Sequence, residues 1–154
     1  MMRALETRVP PLAVLAVFAA AMEGIALVSP SWSWRFAGQG VVAVVVAVAG
    51  VVVIGLGAFG FRRHGTTLNP VAPETASTLV TSGIYGITRN PMYVGMALGL
   101  LGWAVWLGHP AAALLVPGFV AYLTRFQIMP EERAIGAKFG AAFDAYRARV
   151  RRWL

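Results

Sequence analysis

Long apolar runs separated by short polar stretches dominate this chain. The first run, residues 12–28, carries one charged residue, Glu23, and the second, residues 38–61, carries none. About 20 apolar residues are enough for a helix to cross the hydrocarbon core of a bilayer. Both runs are therefore predicted to be transmembrane helices.

A third stretch, residues 90–124, is also free of charged residues, but Gly108-His109-Pro110 interrupts it. Glycine and proline in sequence mark a turn. We predict a hairpin of two helices, 91–107 and 111–129. Pro130 is expected to end the second helix, because proline lacks the backbone N–H and its ring clashes with the preceding turn.

The closing segment, residues 131–154, has apolar residues at helical spacing with arginines between them. This pattern predicts an amphipathic helix that Gly136 or Gly140 can break into two pieces. The segment is too polar to cross a bilayer and is expected to lie along the cytoplasmic interface, covering the ends of the spans. Its apolar stripe consists of Ile135, Phe139, Phe143, Tyr146, Val150 and Trp153.

The predicted fold is all-α, an integral membrane helical bundle of about four transmembrane helices with a cytoplasmic amphipathic C-terminal segment. The composition agrees, since 58% of the 154 residues are hydrophobic and 12% are charged, against about 25% charged in soluble domains. We expect a single domain, 1–154, without a cleaved leader, because the apolar runs are too many and too late for a signal peptide.

The charge of the chain is strongly basic, with a formal net charge of +7. The basic residues flank apolar spans, so anionic lipid headgroups are the expected partners and nucleic acid is not. Every Lys and Arg except Arg35 falls on one side of the predicted bundle. The positive-inside rule then places both termini and the 62–90 loop in the cytoplasm. Arginine- and alanine-rich usage suggests a bacterial inner membrane.

Some familiar chemistry is disfavoured. The chain has no cysteine, and His64 and His109 are its only histidines, so we expect no metal site. Residues 55–60 match the G-x-G-x-x-G dinucleotide fingerprint, yet they lie inside an apolar span without the strand and the acidic residue which that motif requires. The glycines there, and Gly95 and Gly99, are better interpreted as helix-packing positions.

Two polar clusters stand beside the predicted spans. Arg89, Asn90 and two tyrosines are concentrated in residues 85–93, and Glu131 and Glu132 follow Pro130. Each cluster alone has a structural interpretation: tyrosine and arginine settle at headgroup depth, and acidic residues favour the first turn of a helix. Taken alone, anchoring and function remain equally open for the first cluster.

Taken together, these segments resemble the isoprenylcysteine carboxyl methyltransferase and phospholipid methyltransferase superfamily of integral membrane methyltransferases. The first block runs Leu79-Val80-Thr81-Ser82-Gly83-Ile84-Tyr85, then Arg89-Asn90-Pro91-Met92-Tyr93-Val94-Gly95. The second comprises Glu131-Glu132, Phe139-Gly140, Tyr146 and Arg152-Trp153. The likeness covers residues 62–154.

The resemblance implies a methyltransferase with a pocket for S-adenosylmethionine, which leaves as S-adenosylhomocysteine. A glutamate of the pair can bind the ammonium of the cofactor, the Arg89 guanidinium can bind its carboxylate, and the tyrosines can offer aromatic faces. The full set of implied cofactor-binding residues is Leu79, Val80, Tyr85, Arg89, Asn90, Pro91, Tyr93, Glu131 and Glu132.

Two positions depart from the superfamily pattern. Asn90 stands where a histidine is common, and Gln127 stands where eukaryotic carboxyl methyltransferases carry an arginine assigned to substrate. An imidazole is therefore not essential at the first position, and prenylcysteine recognition is not implied by the second. The methyl acceptor is expected to be a lipophilic or small molecule, attacking through oxygen, sulfur or nitrogen.

We expect in-line displacement at the sulfonium methyl and assign no catalytic residue. An amine or hydroxyl acceptor would need a proton acceptor, for which a glutamate of the pair or Tyr146 is a candidate. Polar groups expected near the acceptor are Arg125, Thr67, Asn69 and Glu23; the last is also explained by protonation or by reach to the outer interface. Two other functions stay open: a membrane reductase of sterol-reductase-like architecture and a non-enzymatic lipid-binding protein.

Overall fold

The computed structural model describes residues 9–63 and 78–154, and these residues form an all-α membrane helical bundle, as predicted. The one β-type pairing among them is an isolated bridge between Thr88 and Arg151. The helices are α1 Pro11–Val28, α2 Gln39–Arg63, α3 Pro91–Leu107, α4 Pro110–Ala113, α5 Leu115–Leu123, α6 Met129–Phe139 and α7 Ala141–Arg149, with short 3₁₀ helices at Pro30–Trp32 and Gly83–Gly86 and a π-helical turn at Thr124–Ile128.

Three helical stretches of the described chain are long and apolar enough to cross a membrane: Pro11–Val28, Gln39–Arg63 and Pro110–Phe139. Helix α3 is also apolar but shorter. Its 17 residues are near the lower limit for a span. The bounds of α1, α2 and α3 agree with the predicted runs to within two residues. Proline or glycine beside each end explains this agreement, since these residues set helix limits locally.

The prediction that Pro130 ends the fourth helix is wrong. The chain stays helical through Pro130 as far as Phe139. A π-helical turn, Thr124–Ile128, precedes the proline, and the Met129 N–H bonds to the Thr124 carbonyl five residues back. This wider turn gives room to the proline ring, which in a regular α-helix would meet the carbonyl of Phe126.

A second proline produces a smaller break in the same helical stretch. Between α4 and α5 the helix is interrupted at Leu114. Pro117 has no N–H to donate to the carbonyl of Ala113, so the regular pattern of hydrogen bonds is lost there. The stretch Pro110–Phe139 is therefore one irregular rod that passes from the apolar bundle into the polar end of the chain.

Helices α2 and α3 form the closest pair in the bundle, and glycines make their contact possible. A Cβ at Gly95 would lie 2.5 Å from the carbonyl oxygen of Gly50, and one at Gly102 would lie 2.8 Å from the carbonyl oxygen of Ala43. Small residues allow such backbone approach in membrane helices. Gly57 and Gly60 also pack closely, whereas Gly55 faces open space. Two of the three glycines in the motif, Gly57 and Gly60, thus serve packing.

The C-terminal segment breaks at Gly140, whose φ of +51° favours glycine, whereas Gly136 stays inside α6. The predicted apolar stripe does not remain on one surface. Its central residues form a small core of their own. Trp153 lies outside this small core and packs against the main core of the bundle. The small core comprises Phe143, Tyr146 and Val150, with Leu79, Ile135 and Phe139 against it.

Candidate functional site

A hollow lies at the end of the bundle where α2 ends, α3 begins and α6 and α7 pack; we call this the arginine-rich end. Its volume is about 80 Å³. Side chains from five separate stretches of the chain meet there, and none of these stretches could form it alone. It is lined by Phe61, Thr78, Leu79, Val80, Tyr85, Arg89, Asn90, Glu131, Glu132, Ile135, Phe139, Phe143 and Tyr146.

Glu132 is bound by two arginines. Its Oε1 lies 2.7 Å from Nη2 of Arg89, and its Oε2 lies 2.7 Å from Nη2 of Arg152. The Nε atoms of both arginines also donate to Oε1, each at 3.2 Å. These hydrogen bonds and positive charges keep the pair of arginines and the carboxylate in one fixed arrangement. The Glu132 carboxylate is thus already neutralised within the protein.

Arg89 also holds the C-terminal segment. Its Nη1 donates to the carbonyl oxygens of Val150, at 2.5 Å, and Arg147, at 3.3 Å. The neighbouring backbone N–H of Arg89 donates to the carbonyl of Arg151 at 3.0 Å. Nε, Nη1 and Nη2 of the guanidinium therefore all have partners. The carboxylate of a cofactor would have to displace one of these partners to bind here.

The residues on either side of Arg89 bind the same segment. Thr88 Oγ1 donates to the carbonyl of Arg152 at 3.2 Å, and Asn90 Nδ2 donates to the same oxygen at 3.0 Å. Asn90 therefore uses its amide as a donor at the position where the superfamily commonly has histidine. Further along, Trp153 Nε1 donates to Thr124 Oγ1 at 3.0 Å. The last residues of the chain form a strap across the arginine-rich end.

Glu131 has different surroundings from Glu132. Its Oε1 accepts a hydrogen bond of 2.5 Å from the hydroxyl of Tyr93, and within the described residues this is the one side-chain bond that it makes. The carboxylate lines the hollow, and no arginine or lysine pairs with it in the described chain. Glu131 therefore places a carboxyl group, without a cationic partner among the described residues, at the wall of the hollow.

Aromatic rings form much of the remaining wall. The Tyr85 ring packs against Gly60 and lies 5.1 Å from the Phe61 ring, edge to face. The Tyr146 hydroxyl donates to the carbonyl of Tyr85 at 2.7 Å. Burial raises the pKa of Tyr146 to about 12 and raises that of Tyr85 as well. Both phenols are therefore neutral at physiological pH, and Tyr146 is poorly suited to accept a proton.

Seven of the nine residues implied as cofactor ligands line this hollow, and two do not. Pro91 is the first residue of α3 and is buried against Gly57. Tyr93 is buried behind Glu131 and contacts the hollow only through that carboxylate. These two residues lie in the supporting structure of the site.

The sequence did not identify Phe61 as a residue of the hollow. It also did not identify Arg152 as a partner of Glu132. Phe61 ends an apolar run and carried no signal beyond hydrophobicity. Arg152 belongs to the Arg-Trp ending quoted for the superfamily, so a search for a basic partner to the glutamate pair would have found it. Ile135, Phe139 and Phe143 were predicted to be buried as part of the apolar stripe. Nothing in that pattern predicted that they would line a hollow.

Of the polar groups expected near the acceptor, Glu23 and Arg125 lie in the described chain, and neither lines the hollow. Glu23 lies within α1, where its Oε2 is buried without a hydrogen-bond partner in residues 9–63 and 78–154. Arg125 lies in the π-helical turn, with its guanidinium 5.4 Å from the centre of the Phe126 ring. Thr67 and Asn69 lie outside the described residues. In residues 9–63 and 78–154 there is no cluster of three or more His, Asp or Glu side chains suited to a metal.

Several curated proteins are similar to parts of this chain. A protein of Haemophilus influenzae described as uncharacterized is 43% identical over 63 residues, which is 41% of this chain and 100% of that protein. The protein-S-isoprenylcysteine O-methyltransferase of Schizosaccharomyces pombe is 37% identical over 75 residues, covering 47% of this chain and 30% of the relative.

A third relative is protein-S-isoprenylcysteine O-methyltransferase B of Arabidopsis thaliana, 33% identical over 91 residues, or 57% of this chain and 45% of that protein. The chain thus spans less than half the length of either named methyltransferase. No solved structure matches it significantly. A family model, described as phospholipid methyltransferase, matches residues 38–142, and this match includes nearly every residue of the hollow. Since it covers more than half of the sequence, the chain belongs to the phospholipid methyltransferase family of membrane proteins.

Proposed function

We propose that this protein transfers the methyl group of S-adenosylmethionine to a lipophilic or small-molecule acceptor at the cytoplasmic face of a bacterial inner membrane. The chain would act as a single domain with both termini in the cytoplasm. Family membership and two isoprenylcysteine methyltransferase relatives support methyl transfer. The hollow at the arginine-rich end is where we propose that the cofactor binds.

The observation that carries this proposal is the difference between the two adjacent glutamates. Glu132 is held by Arg89 and Arg152, while Glu131 has the Tyr93 hydroxyl and faces the hollow. A carboxylate without a cationic partner in a largely apolar wall favours a cationic ligand. S-adenosylmethionine carries an ammonium and a sulfonium. We therefore assign the ammonium of the cofactor to Glu131, with Glu132 as the residue that fixes the arginines.

The walls of the hollow fit the rest of the cofactor chemically. Leu79, Val80 and Phe143 offer apolar surface, and Tyr85 offers an aromatic face beside which a base or a cation is stabilised. Pockets for ligands of this size hold about 300–1,000 Å³, so the hollow of about 80 Å³ must widen when the cofactor enters. This widening is part of the proposal.

The bound cofactor would supply an activated methyl group, and the residues of the chain would orient it and exclude water. Attack in line with the breaking carbon–sulfur bond needs mainly correct placement of donor and acceptor. A carboxylate or thiolate acceptor needs no general base. An amine or hydroxyl acceptor needs a proton acceptor, and the neutral Tyr146 hydroxyl, which already donates a hydrogen bond to the carbonyl of Tyr85, is poorly suited to that role.

The test is calorimetry of the detergent-solubilised protein with S-adenosylmethionine, comparing Glu131→Gln, Glu132→Gln and Asp144→Asn. Asp144 is an exposed carboxylate whose one ion pair within the described chain is with Arg147, and it serves as the matched control. We expect Glu131→Gln to lower the affinity at least tenfold, because a charge-assisted bond contributes about 1.5–3 kcal/mol, with unchanged thermal stability. Asp144→Asn should bind as the wild type does.

The same titration with a nicotinamide dinucleotide separates methyl transfer from reduction, and no heat of binding is expected there. Full affinity for S-adenosylmethionine in Glu131→Gln would remove Glu131 from the site. Absence of any binding by the folded wild-type protein would contradict the proposed function itself.

A further inference from the structure

A second hollow lies on the other side of the Gly83–Gly86 turn, and none of its described lining residues also lines the proposed cofactor site. Its volume is about 410 Å³. One wall is the last two turns of α2, through Leu56, Phe59 and Arg63, and the opposite wall is the chain from Ser82 to Ile84. Neither the proposed reaction nor the family match assigns it a role.

The α2 wall changes from apolar to charged along its length. Leu56, Phe59 and Arg63 are spaced three and four residues apart, so they lie on one face of the helix. The side chains of Leu56 and Phe59 are 50% and 62% exposed, which in a membrane helix means that they face lipid. From Leu56 to Arg63 the helix rises about 10 Å. An apolar surface therefore runs directly up to a cation at the helix end.

Arg63 is exposed, and its guanidinium has no hydrogen bond or ion pair with any residue in 9–63 or 78–154. Among the described residues, no acidic side chain lines this hollow. A zwitterionic headgroup would find a partner for its phosphate but none for its ammonium. The lining thus favours a ligand with net negative charge over a neutral one.

We propose that this hollow binds an anionic glycerophospholipid, with the headgroup phosphate on Arg63 and an acyl chain along Leu56 and Phe59. The lipid would lie against Ile84, in the same short turn that presents Tyr85 to the cofactor hollow. Gly60 contacts both sides, since it lines the lipid hollow and packs against the Tyr85 ring. The site is therefore distinct from the cofactor site and adjacent to it.

Native mass spectrometry of the protein in neutral detergent tests this directly, with phosphatidylglycerol and phosphatidylcholine added in parallel. We expect one phosphatidylglycerol molecule to bind in preference to phosphatidylcholine. Arg63→Gln should weaken that binding about fivefold, the loss expected for one arginine at an anionic surface. Arg62→Gln is the matched control, since Arg62 is also exposed and does not line the hollow. It should retain the affinity of the wild type.

Phe59→Ser tests the acyl wall, with Val45→Ser as control because Val45 is 61% exposed on the same helix but lies outside the hollow. Phe59→Ser should weaken the binding of phosphatidylglycerol, whereas Val45→Ser should not. Equal losses in Arg62→Gln and Arg63→Gln would indicate a diffuse charge effect and overturn the site. Competition by soluble glycerol phosphate at equal concentration would overturn a lipid as the ligand. None of these outcomes depends on S-adenosylmethionine, so the inference can fail while the proposed function stands.

Discussion

Arg89 and Glu132, which are 43 residues apart in the chain, form an ion pair with 2.7 Å between Nη2 and Oε1. The side chains of both are mostly buried, at 10% and 16% exposure. This pair joins the entrance of α3 to the first turn of α6, and Arg152 adds the C-terminal strap to it. Two polar clusters that lie far apart in the sequence are thereby in direct contact.

The contribution of the strap is tested by Arg152→Gln, with Arg149→Gln as control. The variant removes one of the two arginines on Glu132, and because Arg152 is 37% exposed we expect a loss of only about 1 kcal/mol in unfolding free energy. Among the described residues, Arg149 bonds only to the carbonyl of Ala145 in its own helix, so its variant should match the wild type. Thermal unfolding in detergent measures both. A loss of equal size in the two variants would argue against a specific role of the strap.

Tyr93 should act on the cofactor through Glu131. Tyr93→Phe removes the hydroxyl that bonds to the carboxylate, leaving Glu131 less well oriented. We expect S-adenosylmethionine affinity to fall about tenfold, as for loss of a bond to a charged group. The control is Tyr122→Phe, because no hydrogen bond of the Tyr122 hydroxyl occurs in the described chain. The assignment of Glu131 weakens if calorimetry gives the same affinity for both variants.

The contact of α2 with α3 depends on Gly95 and tolerates change at Gly99. A Cβ at Gly95 would lie 2.5 Å from the Gly50 carbonyl oxygen, whereas one at Gly99 meets nothing within 4 Å. Gly95→Ala is expected to cost about 1–3 kcal/mol, the usual effect of overpacking. Gly99→Ala should be close to neutral. Thermal unfolding of the two variants compares them, and similar stabilities would contradict this packing.

Stability at high pH should depend on Tyr146. A tyrosine in an unfolded chain titrates near pH ~10, and burial raises the pKa of Tyr146 in the folded protein to about 12. Folding therefore favours the protonated phenol, and its stabilising effect is complete below pH ~10 and is lost as pH rises from there through about 12.

Tyr146→Phe removes this part of the pH dependence. Between pH ~8 and pH ~11 the wild type is expected to lose thermal stability more steeply than the variant does, with the difference beginning near pH ~10. Parallel curves would show that Tyr146 titrates in the same way in the folded and unfolded chains. Methyl transfer near neutral pH should have the same pH profile in both proteins, since Tyr146 stays protonated there.

Sequence reasoning located α1, α2 and α3 closely because the ends of these helices are marked by local chemistry. It failed at Pro130, where a π-helical turn in the five preceding residues allows the helix to continue. Nothing in residues 124–128 announces that turn. The C-terminal segment was predicted in part. The sequence named Gly140 as one of two positions where its helix could break. It gave no sign that Trp153 would pack apart from the other residues of the apolar stripe, because that position depends on the bond of Trp153 to Thr124.

The sequence allowed most residues of the candidate site to be predicted. It did not allow the role of each residue to be predicted. The two motifs named Arg89, Glu131 and Glu132, yet the same sequence is compatible with either glutamate facing a ligand. Their roles differ only because Arg152 and Tyr93 reach different carboxylates in the folded chain. Arg89 was expected to be free for the cofactor and is instead engaged with Glu132 and the strap.

The sequence by itself determined the membrane character, the helical class, the limits of three helices and the two polar clusters, because apolar run length, proline, glycine and residue chemistry act locally. The tertiary structure alone decided which groups meet. It placed Arg152 on Glu132, left Glu131 facing the cofactor hollow, and brought residues 82–84 opposite Arg63 to form the second hollow. Contacts between distant residues depend on how helices pack and how a tail returns across them, and neither is encoded in any one stretch of the chain.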